Sequence, residues 1–209
     1  RESLGQIQRA GWHLLEVINE VLDLARIEAG GLELAMAEVE VGPLVEESLT
    51  LISPLASRHR VTVVNRLGAG RRIVVRADAM RLRQVVLNLL SNAVKYNREG
   101  GLAAVAAVEA DDAWRLEVAD GGIGLRPDQV DALFQPFTRF AADARIEGTG
   151  IGLTITRALV AAHGGHIWAE SRVRWACVND GLPVYPRQPP LDELVRLWVA
   201  EHPAVGGDA

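Results

Sequence analysis

Apolar positions near the start of the chain recur at alternating steps of four and three: Ile7, Gly11, Leu14, Ile18, Val21 and Ala25. This is the seam of a coiled coil or helical bundle, and it predicts a helix over residues 3–29 that Gly30-Gly31 stops. The seam admits two readings. An amphipathic surface helix can lay it on its own domain, or a partner helix covers it, from further sequence or from a second copy of the chain, which implies a homodimer.

Beyond the glycines the period changes. Residues 32–41 alternate apolar and polar like a strand, and Gly42-Pro43 opens a helix through Leu44, Val45, Leu49, Ile52 and Leu55. Residues 61–65 and 72–76 read as two strands joined by a Gly-Ala-Gly turn. Asp78 is placed to cap a long helix running to Tyr96. Strands follow at 102–109 and 114–119, then a glycine loop, a short helix after Pro127, a second glycine loop, a helix over 150–162 and a strand over 166–171. This order predicts an α+β fold: a two-layer α/β sandwich with one mixed sheet under a helical layer, preceded by one helix of a dimeric bundle.

Composition narrows the function classes. With 209 residues and 49% of them apolar, the chain can bury a substantial core. A net charge of −5 without a long basic run argues against nucleic acid as the main partner. Cys177 stands alone, which excludes an internal disulfide or a cysteine zinc cluster and fits a reducing, cytoplasmic location. No apolar stretch is long enough for a membrane segment. The abrupt start inside a helical pattern leads us to expect upstream sequence, which can carry a membrane anchor or a sensor.

The candidate chemistry lies on the long helix and the two glycine loops. Asn88, Asn92 and Lys95 fall at i, i+4 and i+7, hence on one helical face, with Tyr96 beside them. The rest of the helix is almost entirely apolar, so enclosed amides there need partners. Asparagine oxygens suit Mg²⁺ and Lys95 suits phosphate; for the helix in isolation, a polar stripe facing water is the favoured reading. Asp120-Gly121-Gly122-Ile123-Gly124 sets an acid before glycines, where a carboxylate can accept from an exocyclic amine such as that of adenine. Gly148-Thr149-Gly150-Ile151-Gly152-Leu153 runs into a helix, whose first amides can hold an anion. Each glycine loop is, by itself, also an ordinary turn, and the second fits neither a Rossmann nor a Walker fingerprint. Between them, Phe134, Phe137 and Phe140 read as anchors for the base of a lid extending to Glu147, while Arg139 is either a phosphate ligand or a surface arginine.

In this order the four blocks resemble the asparagine, first glycine, phenylalanine and second glycine boxes of the sensor histidine kinases, which share an ATPase fold with gyrase, the Hsp90 chaperones and MutL. The resemblance runs from about Leu32 to Ser171. It implies a nucleotide-binding domain over 31–171 that binds ATP with Mg²⁺. Asn88 and Asn92 then serve the metal, Lys95 and Arg139 the phosphates, Tyr96 the neighbourhood of the nucleotide and Asp120 the adenine. Gly122 and Gly124 shape the adenine side; Gly148, Gly150 and Gly152, with Thr149 and Leu153, shape the phosphate side. Residues 1–30, ending Leu22-Asp23-Leu24-Ala25-Arg26-Ile27-Glu28-Ala29-Gly30, resemble the second helix of the dimerisation and phosphotransfer hairpin. A response regulator receiver domain is the implied partner.

Within that resemblance Asn88 discriminates between activities. The hydrolysing members carry a glutamate there as general base, a role an amide cannot fill, so transfer to a protein acceptor is expected over ATP hydrolysis. None of His13, His59, His163, His166 or His202 has the Glu-apolar-Arg-Thr-Pro setting of the family's acceptor, which is therefore expected on an absent first helix. After Ser171 the family's final strand is not recognisable; residues 172–209 read as an atypical tail with a short helix over 191–200, which leaves a sheet edge in need of cover. The competing reading is a degenerate module that binds nucleotide or dimerises without catalysis.

Overall fold

The computed structural model describes residues 2–29, 31–68, 72–110, 113–140, 148–170 and 174–179. The chain runs α1 (Glu2–Glu28), β1 (Ala37–Glu40), α2 (Val41–His59), β2 (Thr62–Arg66), β3 (Val74–Ala77), α3 (Ala79–Lys95), β4 (Leu102–Ala110) and β5 (Ala113–Asp120). It continues through α4 (Pro127–Ala132), α5 (Gly152–Ala162), β6 (Gly165–Glu170) and β7 (Arg174–Asn179).

Five strands form a sheet in the order β2-β4-β5-β7-β6, with β2 and β4 parallel and the other neighbours antiparallel. Helices α2, α3 and α5 supply the facing layer, so the expected two-layer α/β sandwich with a mixed sheet is what the chain builds. The apolar positions of α3 come in adjacent pairs one turn apart. Val86, Leu89, Leu90, Ala93 and Val94 have no exposed surface, and they meet Val105 of β4, Val118 of β5 and Leu159 of α5, which are equally enclosed.

Four expectations need correction. Residues 32–41 yield strand only at Ala37–Glu40, because the N–H of Ala35 turns to the Asp78 carboxylate, 3.0 Å away, instead of a strand neighbour. The strands expected at 61–65 and 72–76 do not pair with each other. β2 joins β4 in the main sheet, whereas β3 pairs antiparallel with β1 as a separate two-stranded ribbon, so the sheet is not the only one. The helix expected from residue 150 starts at Gly152, because Gly150 has φ +75°. The sheet also does not stop at the strand over 166–171: Arg174–Asn179, read as part of the tail, forms β7 between β5 and β6, with Val118 opposite Trp175 and Ile167 opposite Cys177. Backbone pairing makes this strand, with no help from a pattern the sequence displays. The helix expected at 191–200 lies outside the described residues.

Asp78 joins several elements. One carboxylate oxygen accepts from the N–H groups of Met80 (3.0 Å) and Arg81 (3.1 Å), capping α3 as expected, while the other holds Ala35. Its own N–H donates to Nε2 of His163 at 3.1 Å, so Nδ1 of that ring donates to the Leu159 carbonyl at 2.7 Å and the C-terminus of α5 is tied to the start of α3. The backbone N–H of Arg81, with those of Ala35 and Met80, holds the carboxyl below its ordinary pKa against the opposing effect of burial.

Removing this carboxylate leaves three backbone donors without their acceptor, and Asp78→Ala is expected to cost about 2–4 kcal/mol in urea unfolding at pH 7. A depressed carboxyl stabilises the fold above its unfolded pKa, and that contribution is lost as pH falls through the lower folded value. The difference between wild type and variant should therefore shrink in acid; an equal difference at pH 7 and pH 3 would refute this assignment.

Candidate nucleotide site

Helical periodicity carries the site. Because the paired apolar residues of α3 face the sheet and α5, Asn88, Asn92 and Lys95 fall on the side between them, and Tyr96 closes the helix as its C-cap. These four line a cavity of about 230 Å³ together with Asp120, Gly124 and Arg139. Gly148, Thr149, Gly150, Gly152 and Leu153 line it from the second glycine loop. Gly122 does not line the cavity. It supports it, since a Cβ there would come within 2.4 Å of the Tyr96 carbonyl and 2.6 Å of the Asp120 carboxylate.

The first glycine loop is stitched to the end of α3. Ile123 donates its N–H to the Tyr96 carbonyl (3.2 Å), Gly121 to the Leu102 carbonyl (3.0 Å), and Gly122 to Oδ1 of Asp120 (2.8 Å). Burial raises the Asp120 carboxyl to about 6, against the lowering effect of the Gly122 N–H. A half-buried carboxylate with one oxygen held by its own loop can present the other to a hydrogen-bond donor such as an amine.

The second loop is held as closely. Gly150, at φ +75°, lies where a Cβ would be 2.9 Å from the backbone of Phe137 and 3.0 Å from the Thr138 carbonyl, so glycine is required twice over. Phe137 itself has φ 62°, an uncommon conformation for a bulky residue, and its side chain is exposed. At Gly152 a Cβ would meet Oδ1 of Asn88 at 2.6 Å. At Gly148 it would meet nothing within 4 Å, so crowding places no demand on that position. Nδ2 of Asn88 donates to Thr156 Oγ1 at 2.6 Å, and Thr156 donates to the Gly152 carbonyl at 2.9 Å. The amide's donor end is thus committed to α5, and its oxygen end faces Gly152 at the mouth of the helix.

The cavity also draws on Glu20, Leu125, Gln129, Leu133 and Thr138, which the sequence analysis did not single out, and on Ile123 and Phe140, which it named without a place in the site. Ile123 and Leu125 alternate with the loop glycines, a signal that was visible but overshadowed by the glycines themselves. Glu20 had no local signal, since only tertiary docking of α1 brings it here. Of the phenylalanines, Phe134, with the Arg157 guanidinium 5.5 Å from its ring, and Phe140 both pack on the core as expected of anchors, Phe140 also forming a wall of the cavity, whereas the side chain of Phe137 is exposed and anchors nothing. The segment expected to act as the lid, residues 141–147, lies outside the described residues.

Among the described residues no group of three or more His, Cys, Asp or Glu side chains could hold a metal. Beside the Asp120 and Glu20 carboxylates, the cavity wall carries the amides of Asn88 and Asn92, whose hard, neutral oxygens suit an Mg²⁺ ion that keeps most of its waters and takes further oxygens from phosphate. No helix among the described residues is long and apolar enough to cross a membrane.

Comparison with known proteins bears on this geometry. The chain is 38% identical over 176 residues to the circadian input-output histidine kinase CikA of Synechococcus elongatus, an alignment covering 83% of this chain and 23% of that protein. It is similar in structure to full-length ShkA in complex with AMPPNP, with TM-score 0.74 and 30% identity over 90% of this chain and 40% of that one. It also shares its fold with the histidine kinase ThkA solved with the response regulator TrrA, with TM-score 0.66 and 21% identity over 85% of this chain and 50% of that one. The chain spans about a quarter or less of the length of the first curated relatives it matches. The sequence model of the histidine kinase-, DNA gyrase B- and HSP90-like ATPases matches residues 77–184, the stretch from the cap of α3 through β7 that builds nearly all of the cavity. The resemblance read from the four sequence blocks therefore holds, and the chain belongs to that ATPase family, among relatives named as sensor histidine kinases.

Proposed function

We propose that the chain is the ATP-binding kinase core of a sensor histidine kinase, which transfers the γ-phosphoryl group of ATP to a histidine for relay to a response regulator. The observation that carries this reading is the single cavity on which Asn88, Asn92, Lys95, Asp120 and both glycine loops converge. In it, Asp120 accepts a hydrogen bond from the adenine amine and Gly124 lets the backbone lie close to the base, while Gly122 supports the loop from behind against Tyr96. Lys95 and Arg139 neutralise phosphate charge, while the amides that open α5 face the phosphate end. Mg²⁺, held by the oxygens of Asn88 and Asn92, would neutralise phosphate charge.

Asn88 sets the reaction class. Its amide cannot take a proton from water, and its Nδ2 is already given to Thr156, so attack by a separate acceptor is favoured over hydrolysis. The acceptor histidine is assigned to a helix pairing with α1, whose Leu14, Ile18 and Val21 remain 60, 44 and 41% exposed on the predicted seam. Residues 1–30 are accordingly read as the second helix of the dimerisation hairpin, residues from 31 onward as the nucleotide-binding domain with β7 in its sheet, and the response regulator as the protein that takes the phosphoryl group. The ShkA complex with AMPPNP and the ThkA complex with TrrA support the ligand and the partner.

Calorimetric titration with a non-hydrolysable ATP analogue should give binding that Mg²⁺ strengthens, and Asn92→Ala should lose at least about tenfold in affinity with Mg²⁺ and little without it. A folded chain that binds no nucleotide at millimolar concentration would leave a non-catalytic dimerisation module as the better account. The Asp120 carboxyl near 6 makes a second prediction. Affinity should be flat above pH 7 and fall as pH drops below 6, where protonation removes an acceptor oxygen; Asp120→Asn should bind more weakly and lack that step. An identical pH profile in wild type and variant would refute the role.

A further inference from the structure

Helix α1 has a second face besides its exposed seam. Leu24 and Ile27 pack against the core of the domain, and Asp23 accepts from Nη1 of Arg81 at 3.1 Å and from Nε2 of Gln84 at 3.3 Å. This clamp is sheltered: the side chains of Arg81 and Asp23 are 16 and 22% exposed. One turn earlier on the same face, Glu20 enters the wall of the nucleotide cavity, where its carboxylate accepts the hydroxyl proton of Thr149. Thr149 is no remote residue. Its oxygen also accepts the N–H of Ile151 at 3.2 Å, in the loop that delivers the chain into α5, and Lys95 and Arg139 line the same cavity.

A carboxylate and a phosphate group are both anionic acceptors, and they seek the same donors. Within a cavity of about 230 Å³, a second anion beside Glu20 meets like-charge repulsion that the partly enclosed site screens poorly. We propose that Glu20 competes with the phosphates of the nucleotide for Thr149 and the cations around it, so that docking of α1 and loading of the phosphate end exclude each other. The inference rests on the nucleotide reading of the cavity. Linkage makes the effect reciprocal: nucleotide loosens the docked half of α1, and any displacement of α1 that withdraws Glu20 raises nucleotide affinity. The helix proposed to carry the dimer seam on one face thereby regulates the ATP site with the other, without a further domain between them.

The experiment is titration of the whole chain with the non-hydrolysable ATP analogue and, in parallel, with adenosine, which has the base but no phosphate. Glu20→Gln keeps the shape of the side chain and removes the charge; it should tighten the analogue about 5- to 20-fold and leave adenosine within about twofold of wild type. Asp23→Ala keeps the Glu20 charge but releases the clamp, and should shift analogue affinity in the same direction by a smaller factor. Hydrogen exchange of residues 20–28 should quicken in wild type when the analogue binds. Equal analogue affinity in wild type and Glu20→Gln overturns the competition while leaving the nucleotide site intact, and weaker binding in the variant overturns it in favour of a Glu20 that helps to hold Mg²⁺. Absence of binding in wild type and both variants removes the nucleotide reading and this inference with it.

Discussion

One constraint orders the rest of the structure: α3 must bury its apolar pairs completely. Val85-Val86, Leu89-Leu90 and Ala93-Val94 are spaced one turn apart, and none of the six is more than 1% exposed. Burying side chains of this size stabilises the fold by about 1.5–3 kcal/mol for each valine or leucine. A helix secured in this way cannot rotate. The positions between the pairs, Asn88, Asn92 and Lys95, are therefore presented in one direction, and the cavity forms where they point. The packing of the core and the aim of the polar side chains are one fact seen from two sides.

The glycine loops then complete the enclosure by close approach. Gly122 sits on the end of α3, Gly150 on the backbone of Phe137 and Thr138, and Gly152 on the Asn88 amide. Each contact is too short for any side chain, so the loops follow the helix surface instead of standing off it. The Asn88 to Thr156 to Gly152 hydrogen-bond chain adds orientation to proximity, since it tells the asparagine amide which end to offer. A site built this way is organised before a ligand arrives, which lowers the ordering cost of binding.

Helix α1 turns one face to the domain and leaves another exposed. Its seam residues Leu14, Ile18 and Val21 stay exposed, while Glu20, Asp23, Leu24 and Ile27 are spent on the domain. The seam is thus not what lies on the domain; a different face of the helix packs there. The half turned to the domain is held by an ion pair, a few apolar contacts and one hydroxyl, modest interactions compared with the core of α3. A weakly held element beside a strongly held one is where a conformational equilibrium is most readily biased.

The sequence by itself determined what depends on local period and on residue type. Burial spaced by whole turns marks α3, a carboxylate one residue before that run marks the cap at Asp78, and amides, an acid and glycines in order mark the cavity wall; of the thirteen positions they name, all but Gly122 line it. What only the tertiary structure decided depends on partners distant in the chain. Strand β7 carries no clear alternation and exists because β5 and β6 offer backbone donors and acceptors on both sides. Ala35 is drawn off a strand by a carboxylate 43 residues away. Glu20 enters the cavity wall through a hydrogen bond spanning 129 residues, a separation at which no periodicity along the chain can report, because periodicity records which face a residue occupies and not what that face will meet.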